Sequence, residues 1–337
     1  MANSGSDFAI RSINSILLKT KYKPLLERAS DIMDKVADVR GLTKAELDDR
    51  LVPTFGLDKP DSFVLDFGPR SFTIKINEKL VPALFDQEFM SIKDLPKPVK
   101  ADEKSKAKEA TEFWKGLKTD LKTEASTQLV RFEQSMLLGR QWSVADFRSL
   151  LVAHPVLCAL VRHLVWGTVQ DGKVGQLFRV NDEGECLNAK GQEVTLSDEV
   201  MVSIPHPLQI QKPLELWKAA LAKNKLKQPF AQIGRQIYLK KQDKKKDLFG
   251  INGARAPAKV FRGLKAKGWI AEIGDAGAIW SYEKNLSDGR AHIGFEGIVT
   301  MHDYGIDEDQ TLEVTISGKP TDLEYSEVVR EIKDLLH

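Results

Sequence analysis

Histidine is followed by proline twice, at His154-Pro155 and His206-Pro207. Proline fixes its own backbone and restricts the residue before it. An imidazole held this way could serve as a general base or a metal ligand. The competing reading is structural, because a histidine at a helix end can hydrogen-bond the exposed backbone groups there. Arginine supplies the other candidate chemistry. Arg131, Glu133, Arg140, Arg148 and Arg235 could converge on an anionic ligand, since a guanidinium fork binds carboxylate or phosphate through two parallel hydrogen bonds. Salt bridges along a long helix and to its neighbours are the alternative use. The candidate catalytic residues are therefore His154, His206, Arg140 and Arg235, and the candidate ligand-binding residues Arg131, Arg140 and Arg235.

A third chemistry is phosphate binding by Lys240, Lys241, Lys244, Lys245 and Lys246, the most basic run of the chain. Lysines that neutralise nucleic-acid phosphates release counterions and gain affinity. Phe249 is the only aromatic residue close by, so a solvated loop is the competing reading. The glycine-rich stretch at residues 250–255 lacks the Lys-Ser/Thr ending of a phosphate loop. No metal is expected, because paired-cysteine, histidine i,i+4 and calcium-loop spacings are all missing from the sequence. No cofactor is expected either, for want of a dinucleotide-binding glycine fingerprint. Cys158 reads as a small core hydrophobe, and no disulfide with Cys186 is anticipated.

These residues must be positioned by elements that the pattern of the chain outlines. Of 337 residues, 42% are hydrophobic and 29% charged, which suits a globular fold, and the formal net charge of +2 gives no global pull toward polyanions or anionic membranes. Apolar spacing predicts helices through Ile13, Ile16 and Leu17 and from Pro24 to Val36, stopped by Gly41. Thr43 and Glu46 then form a capping-box pattern ahead of a short helix. Alternation at Phe63, Leu65 and Phe67 and at Phe72, Ile74 and Ile76 predicts a hairpin turning at Gly68-Pro69, with a third strand near residues 80–85. A long helix should start in the charged run at residues 100–109 and continue through Trp114, Leu121 and Phe132 to Gly139, and a second apolar helix over residues 156–166. Turn dipeptides after Gly167 separate short strands. A helix over 214–226, a strand at 236–240, a helix over 258–266, strands at 269–273 and 278–282, and a final helix from Tyr325 complete the reading.

The expected fold class is α+β, with N-terminal helices and a β-hairpin, a long central helix, and a mixed β-rich C-terminal half with a final helix. Residues 1–98, helical with a β-hairpin, and 99–337, the long helix with the α+β C-terminal part, are expected as two regions that together form one domain from about residue 41. The longest apolar run is too short to span a bilayer, so no membrane association is expected. The opening residues lack the basic-then-apolar pattern of a secretory signal, and the expected location is the cytoplasm.

Residue order adds a family. Gly41-Leu42-Thr43, Arg50-Leu51-Val52-Pro53 and Leu65-Asp66-Phe67-Gly68-Pro69-Arg70 are followed by Lys93-Asp94-Leu95-Pro96-Lys97-Pro98, Gly139-Arg140 with Trp142-Ser143, and His154-Pro155. Leu164-Val165-Trp166-Gly167, His206-Pro207-Leu208, Gln228-Pro229-Phe230 with Gln232 and Gly234-Arg235, and Ser326-Glu327-Val328-Val329-Arg330 continue the series. This order, from about Gly41 onward, resembles the bacterial family known as domain of unknown function 4132. That family includes the C-terminal part of proteins called molybdate-metabolism regulators, some with an N-terminal WGR module and helical repeats. In this chain Trp166-Gly167-Thr168 reads instead as a helix-to-strand junction. The resemblance implies a non-catalytic interaction or regulatory module whose partner is a protein or an attached domain. An enzyme using the His/Arg set, or a nucleic-acid-associated protein using the lysine run, are the alternatives.

The apolar run around Leu160 yields one stability prediction. Leu160→Asp places an unpaired charge on a face expected to be buried and should destabilise by several kcal/mol, as uncompensated buried charges do. An unchanged melting temperature would show that face to be exposed.

Overall fold

Proline lacks an N–H to donate, so a helix accepts it in the first turn, and Pro24 stands there in α1 (Lys23–Val39). The computed structural model describes residues 10, 13, 22–58, 63–274, 278–300 and 309–336. The helix expected through Ile13, Ile16 and Leu17 lies largely outside them. Gly41, at φ +64°, ends the first turn after α1. Its N–H and that of Leu42 return to the carbonyls of Asp38 and Ala37, a Schellman stop. α2 (Lys44–Leu51) opens on the reciprocal Thr43/Glu46 capping box that the sequence predicts.

β1 (Phe63–Asp66), β2 (Ser71–Ile76), β3 (Pro82–Phe85) and β4 (Ser91–Ile92) form an antiparallel meander in that order. Its apolar face, Leu65, Phe67, Phe72 and Ile74, shares one buried cluster with Ala107, Trp114, Leu117 and Leu121 of α3 (Lys104–Leu137). α3 is 34 residues long and stops at Gly139 (φ +63°) by the same Schellman device, with Gly139 and Arg140 donating to the carbonyls of Met136 and Ser135. The expected division at residues 98/99 cuts through this shared core. A small sheet with one apolar face needs a helix to bury it, and α3 is that helix. The chain separates into a unit of residues 1–206 with 212–233 and a unit of residues 207–211 with 234–337.

Beyond Gly139 come β5 (Gln141–Ser143), one α-helical turn (Val144–Asp146), a π-helical segment (Phe147–Val152) and a four-residue helix (Cys158–Val161). The helix expected over 156–166 is thus cut short. The Trp166 indole donates to the Val161 carbonyl at 2.9 Å, and the Gln232 side chain both accepts from the Val165 N–H (3.0 Å) and donates to its carbonyl (2.7 Å). These bonds satisfy backbone groups that further helical turns would otherwise use. Leu160 is fully buried, as its spacing predicts. β6 (Trp166–Gln170), β7 (Lys173–Val180), β8 (Cys186–Leu187) and β9 (Met201–Ser203) join β5 in a second sheet ordered β5-β9-β6-β7-β8. α4 (Leu214–Lys223) follows.

The second unit is built on a sheet ordered β10-β14-β13-β12-β11, from β10 (Arg255–Pro257), β11 (Ile270–Ile273), β12 (Ala278–Leu286), β13 (Gly289–Thr300) and β14 (Asp309–Gly318). A 3-10 helix (Ala258–Lys267) and α5 (Asp322–Leu336) supply Phe261, Leu264, Val328, Val329 and Ile332 to its core. The strand expected at 236–240 does not form, and the Tyr238 N–H donates to Ser326 Oγ instead of to a ladder. Every ladder among the described strands is antiparallel, and the fold is α+β. Both cysteines are free. Among the described residues no helix is long and apolar enough to cross a membrane.

Asp94, just after β4, provides a test of how the first unit is tied together. Its carboxylate accepts from Trp114 Nε1 (2.6 Å), Lys118 Nζ (2.9 Å) and the Leu95 N–H (2.9 Å), and these bonds hold its pKa down at about 2. A depressed carboxylate contributes stability above its unfolded pKa and loses it as pH falls toward the folded value. Asp94→Asn should therefore flatten the acid limb of stability between about pH 4 and about pH 2, a small effect because the group is largely exposed. Urea titrations across that range measure it, and an unaltered limb would assign the acid sensitivity to other carboxylates.

Candidate functional site

The left-handed Gly139 turns the chain back after α3, and two of the candidate arginines then reach one carboxylate. Arg131 Nη1 lies 2.5 Å from Asp49 Oδ1, and Arg140 Nη2 lies 2.5 Å from Asp49 Oδ2. The indole of Trp142 on β5 donates to Asp49 Oδ2 at 2.8 Å. Arg140 also donates to the Ala45 carbonyl (2.7 Å) and lies over the Trp142 ring, 4.8 Å from its centroid. α2 carries Asp49 inward beside Leu47 and Leu51, so the carboxylate is buried. Its position is one an anionic ligand of Arg131 and Arg140 would take. Here the chain itself supplies the anion with which both guanidinium groups pair.

The cluster extends along α3. Arg131 Nε donates to Gln128 Oε1 (2.7 Å), and Gln128 Nε2 donates to Glu124 Oε1 (2.6 Å). Arg131 Nη2 is buried without a hydrogen-bond partner. Burial pushes the Arg131 pKa below its ordinary value, against the opposing pull of Asp49, and pushes the carboxyls of Glu124 and Asp48 above theirs. A low-dielectric setting penalises every charge it holds, so the ions here persist by mutual pairing.

The remaining candidates are placed elsewhere. His154 Nδ1 accepts from the backbone N–H groups of Val156 (3.1 Å) and Leu157 (3.2 Å), while Nε2 lies 3.2 Å from the Val52 carbonyl. That pattern requires the neutral tautomer with its proton on Nε2, donating to Val52. Both ring nitrogens thus cap and tether backbone. His206 is fully buried. Half-buried His163 has Nδ1 at 2.8 Å from the Ala159 carbonyl. Arg148 is exposed on the π-helical segment.

In the second unit Arg235 forms a bidentate pair with Glu327, at 2.8 and 2.6 Å, which Arg330 joins at 2.9 Å. One turn along α5, Glu331 accepts from Trp269 Nε1 (2.7 Å) and from Lys284 Nζ (2.8 Å). The glycine-rich stretch offers no open cradle. The Gly250 N–H donates to the Asp247 carboxylate, those of Ile251 and Asn252 to the Asp247 carbonyl, and that of Gly253 to the Leu312 carbonyl. Lys240, Lys241, Lys244, Lys245 and Lys246 are all exposed. Among the described residues no group of three or more His, Cys, Asp or Glu is placed to hold a metal ion.

Sequence reasoning found the arginines and missed their carboxylates, Asp49 and Glu327, together with Glu331. A signal existed for the α5 pair, since Glu327 and Glu331 stand beside the apolar positions Val328 and Ile332 of an amphipathic helix.

A family model described as a domain of unknown function, DUF4132, matches residues 90–269. An uncharacterized protein of Escherichia coli, YehI, is 35% identical over 277 residues, covering 80% of this chain and 23% of that protein. The chain thus spans less than a quarter of the relative's length. No solved structure matches it.

The Asp49 cluster predicts a large stability effect. Asp49→Ala leaves two guanidinium groups without their buried counter-ion and should destabilise by about 3–5 kcal/mol, the usual cost of breaking a buried pair. Urea unfolding measures it, and a loss below about 1 kcal/mol would mean that solvent reaches the cluster.

Proposed function

The chain belongs to the DUF4132 family, and from that premise we propose that it is a non-catalytic interaction or regulatory module that docks a protein partner. One observation carries the reading: the exposed pair Phe89–Met90 at the tip between β3 and β4. Four turns in the first unit share one construction. In each, a leading side-chain oxygen, from Asn77, Asp86, Asn181 or Asn188, accepts from the backbone N–H four residues on. The residue before that N–H has positive φ: Leu80 at 56°, Phe89 at 59°, and Gly184 and Gly191 at 84°. Glycine adopts this conformation freely, whereas a residue with a side chain sacrifices roughly 1–2 kcal/mol.

Leu80 offsets that cost by burying its side chain, 1% exposed. Phe89 is 68% exposed and Met90 63% exposed, so packing among the described residues does not compensate them. Compensation from outside is the simplest account, through an apolar pocket on a partner. Exposed Glu88 beside the tip fits a basic rim on that pocket. The partner is a separate protein or an attached domain, as the greater length of the relative suggests. The reading gains further support from His154, Arg131, Arg140 and Arg235, each committed to groups of the chain itself.

The test pairs stability with association. Phe89→Gly should leave stability unchanged or raise it by up to about 1 kcal/mol, whereas Leu80→Gly at the equivalent position should cost about 2–4 kcal/mol. Chain isolated from its native cells should lose a co-purifying protein when Phe89→Gly and Met90→Ser are combined. A destabilised Phe89→Gly variant would make the residue structural, and identical co-purifying proteins would remove the tip as a contact.

A further inference from the structure

Charge in the second unit is strongly segregated along the chain. Residues 240–271 hold ten Lys and Arg against two acidic residues, whereas residues 272–337 hold five against fifteen. A balanced total therefore conceals a basic segment. Its two acids offset only part of that charge, two against ten. Asp243 Oδ2 accepts from the Leu248 N–H at 2.9 Å and from the Tyr325 hydroxyl at 3.5 Å, and Asp247 Oδ1 accepts from the Gly250 N–H at 2.8 Å.

The lysines around them are left uncommitted. Among the described residues, none of Lys240, Lys241, Lys244, Lys245, Lys246, Arg262, Lys265 and Lys267 forms an ion pair, in contrast to Arg235, Lys284 and Arg330 of the same unit. The 3-10 helix Ala258–Lys267 turns Ala258, Phe261 and Leu264 into the core and leaves Lys259, Arg262 and Lys265 exposed. It packs against α5, as does the short 3-10 turn at Lys240–Gln242.

From this we infer that the Lys240–Lys246 loop and the outer face of the 3-10 helix bind the phosphate backbone of nucleic acid, without reading base sequence. The chemistry favours nucleic acid over a membrane. A helix that inserts into a lipid interface needs its apolar face free, and here that face is spent on the core. The loop and the outer face of the 3-10 helix both present exposed cations, which suit a polymer carrying one negative charge per roughly 1.7 Å of duplex. The inference is independent of the docking role of Phe89, which lies in the other unit.

Fluorescence anisotropy of the full 337-residue chain with labelled random-sequence duplex DNA, single-stranded RNA, and anionic phosphatidylglycerol vesicles tests it. Binding to the nucleic acids is expected with a dissociation constant on the order of 10⁻⁶–10⁻⁴ M near physiological salt. If all eight cations meet phosphates, the slope of log affinity against log salt should be about −7 for duplex DNA, since each contact contributes about −0.9. Replacing the five loop lysines by Gln should flatten that slope to about −3 without lowering the melting temperature. Replacing them by Arg should preserve it. If the Gln variant melts early, Arg262→Gln with Lys265→Gln and Lys267→Gln tests the helix side, where the slope should flatten to about −4.5. No nucleic-acid binding at low salt, a slope indifferent to these substitutions, or binding to vesicles alone would overturn the inference.

Discussion

A carboxylate withdrawn from water survives as an ion only if other groups replace the water, and Asp49 is the point where the first unit meets that requirement. Arg131, Arg140 and the Trp142 indole fill both of its oxygens. They come from α3, from the reversal after α3 and from β5, while Asp49 itself comes from α2. The four side chains therefore join segments more than eighty positions apart in sequence. Hydrophobic contact could hold these elements together in many registers. A charge that tolerates few geometries selects one of them, a use of buried polar groups attested in other folds. The left-handed Gly139 is part of the same constraint, because without the reversal Arg140 would continue along the helix.

The device recurs. Asp94 accepts from Trp114 and Lys118, and Glu331 accepts from Trp269 and Lys284. In each case an indole N–H and a cation share one carboxylate, and at two of the three the cation also lies against that indole face. An indole contributes a neutral donor together with a large apolar surface, so it can complete a carboxylate's shell without adding charge to a buried site. A buried indole N–H usually finds a hydrogen-bond partner, and that of Trp166 takes a backbone carbonyl. Trp114, Trp142 and Trp269 do more, linking helices to strands or loops through acids far away in the chain.

What was legible in the sequence was local. The Thr43/Glu46 capping box, the Gly41 and Gly139 stops and the Gly68-Pro69 hairpin depend on residues within a few positions of one another, and they form as their patterns indicate. The partner of the hairpin's apolar face is α3, across the expected boundary at 98/99, and alternation within the hairpin does not encode that relation. The strand at 236–240 failed for a similar reason: Tyr238 finds its hydrogen bond on Ser326, 88 residues away. At the candidate site the arginines stood out by type and context, while Asp49 looked like one acid among several on a short polar helix. A guanidinium announces the chemistry it can do. It does not announce which carboxylate the fold will bring.

That asymmetry directs attention to features the fold leaves uncompensated. Charges that are paired inside, such as Arg131, Arg140 and Arg235, are explained by the stability they protect, and a ligand would have to compete with an intramolecular anion already in place. Exposed features obey the opposite logic. An aromatic residue in a left-handed turn position, or eight cations without an ion pair among the described residues, lowers the stability or raises the self-repulsion of the isolated chain. Leu80 and Phe89 make the comparison sharp, since the same turn geometry holds a buried side chain at one position and a solvated one at the other. The lysine loop adds a second case, in which five exposed lysines share a segment with only two acids and, among the described residues, form no ion pair. Function in this chain is therefore to be sought on the surfaces whose costs the interior does not repay.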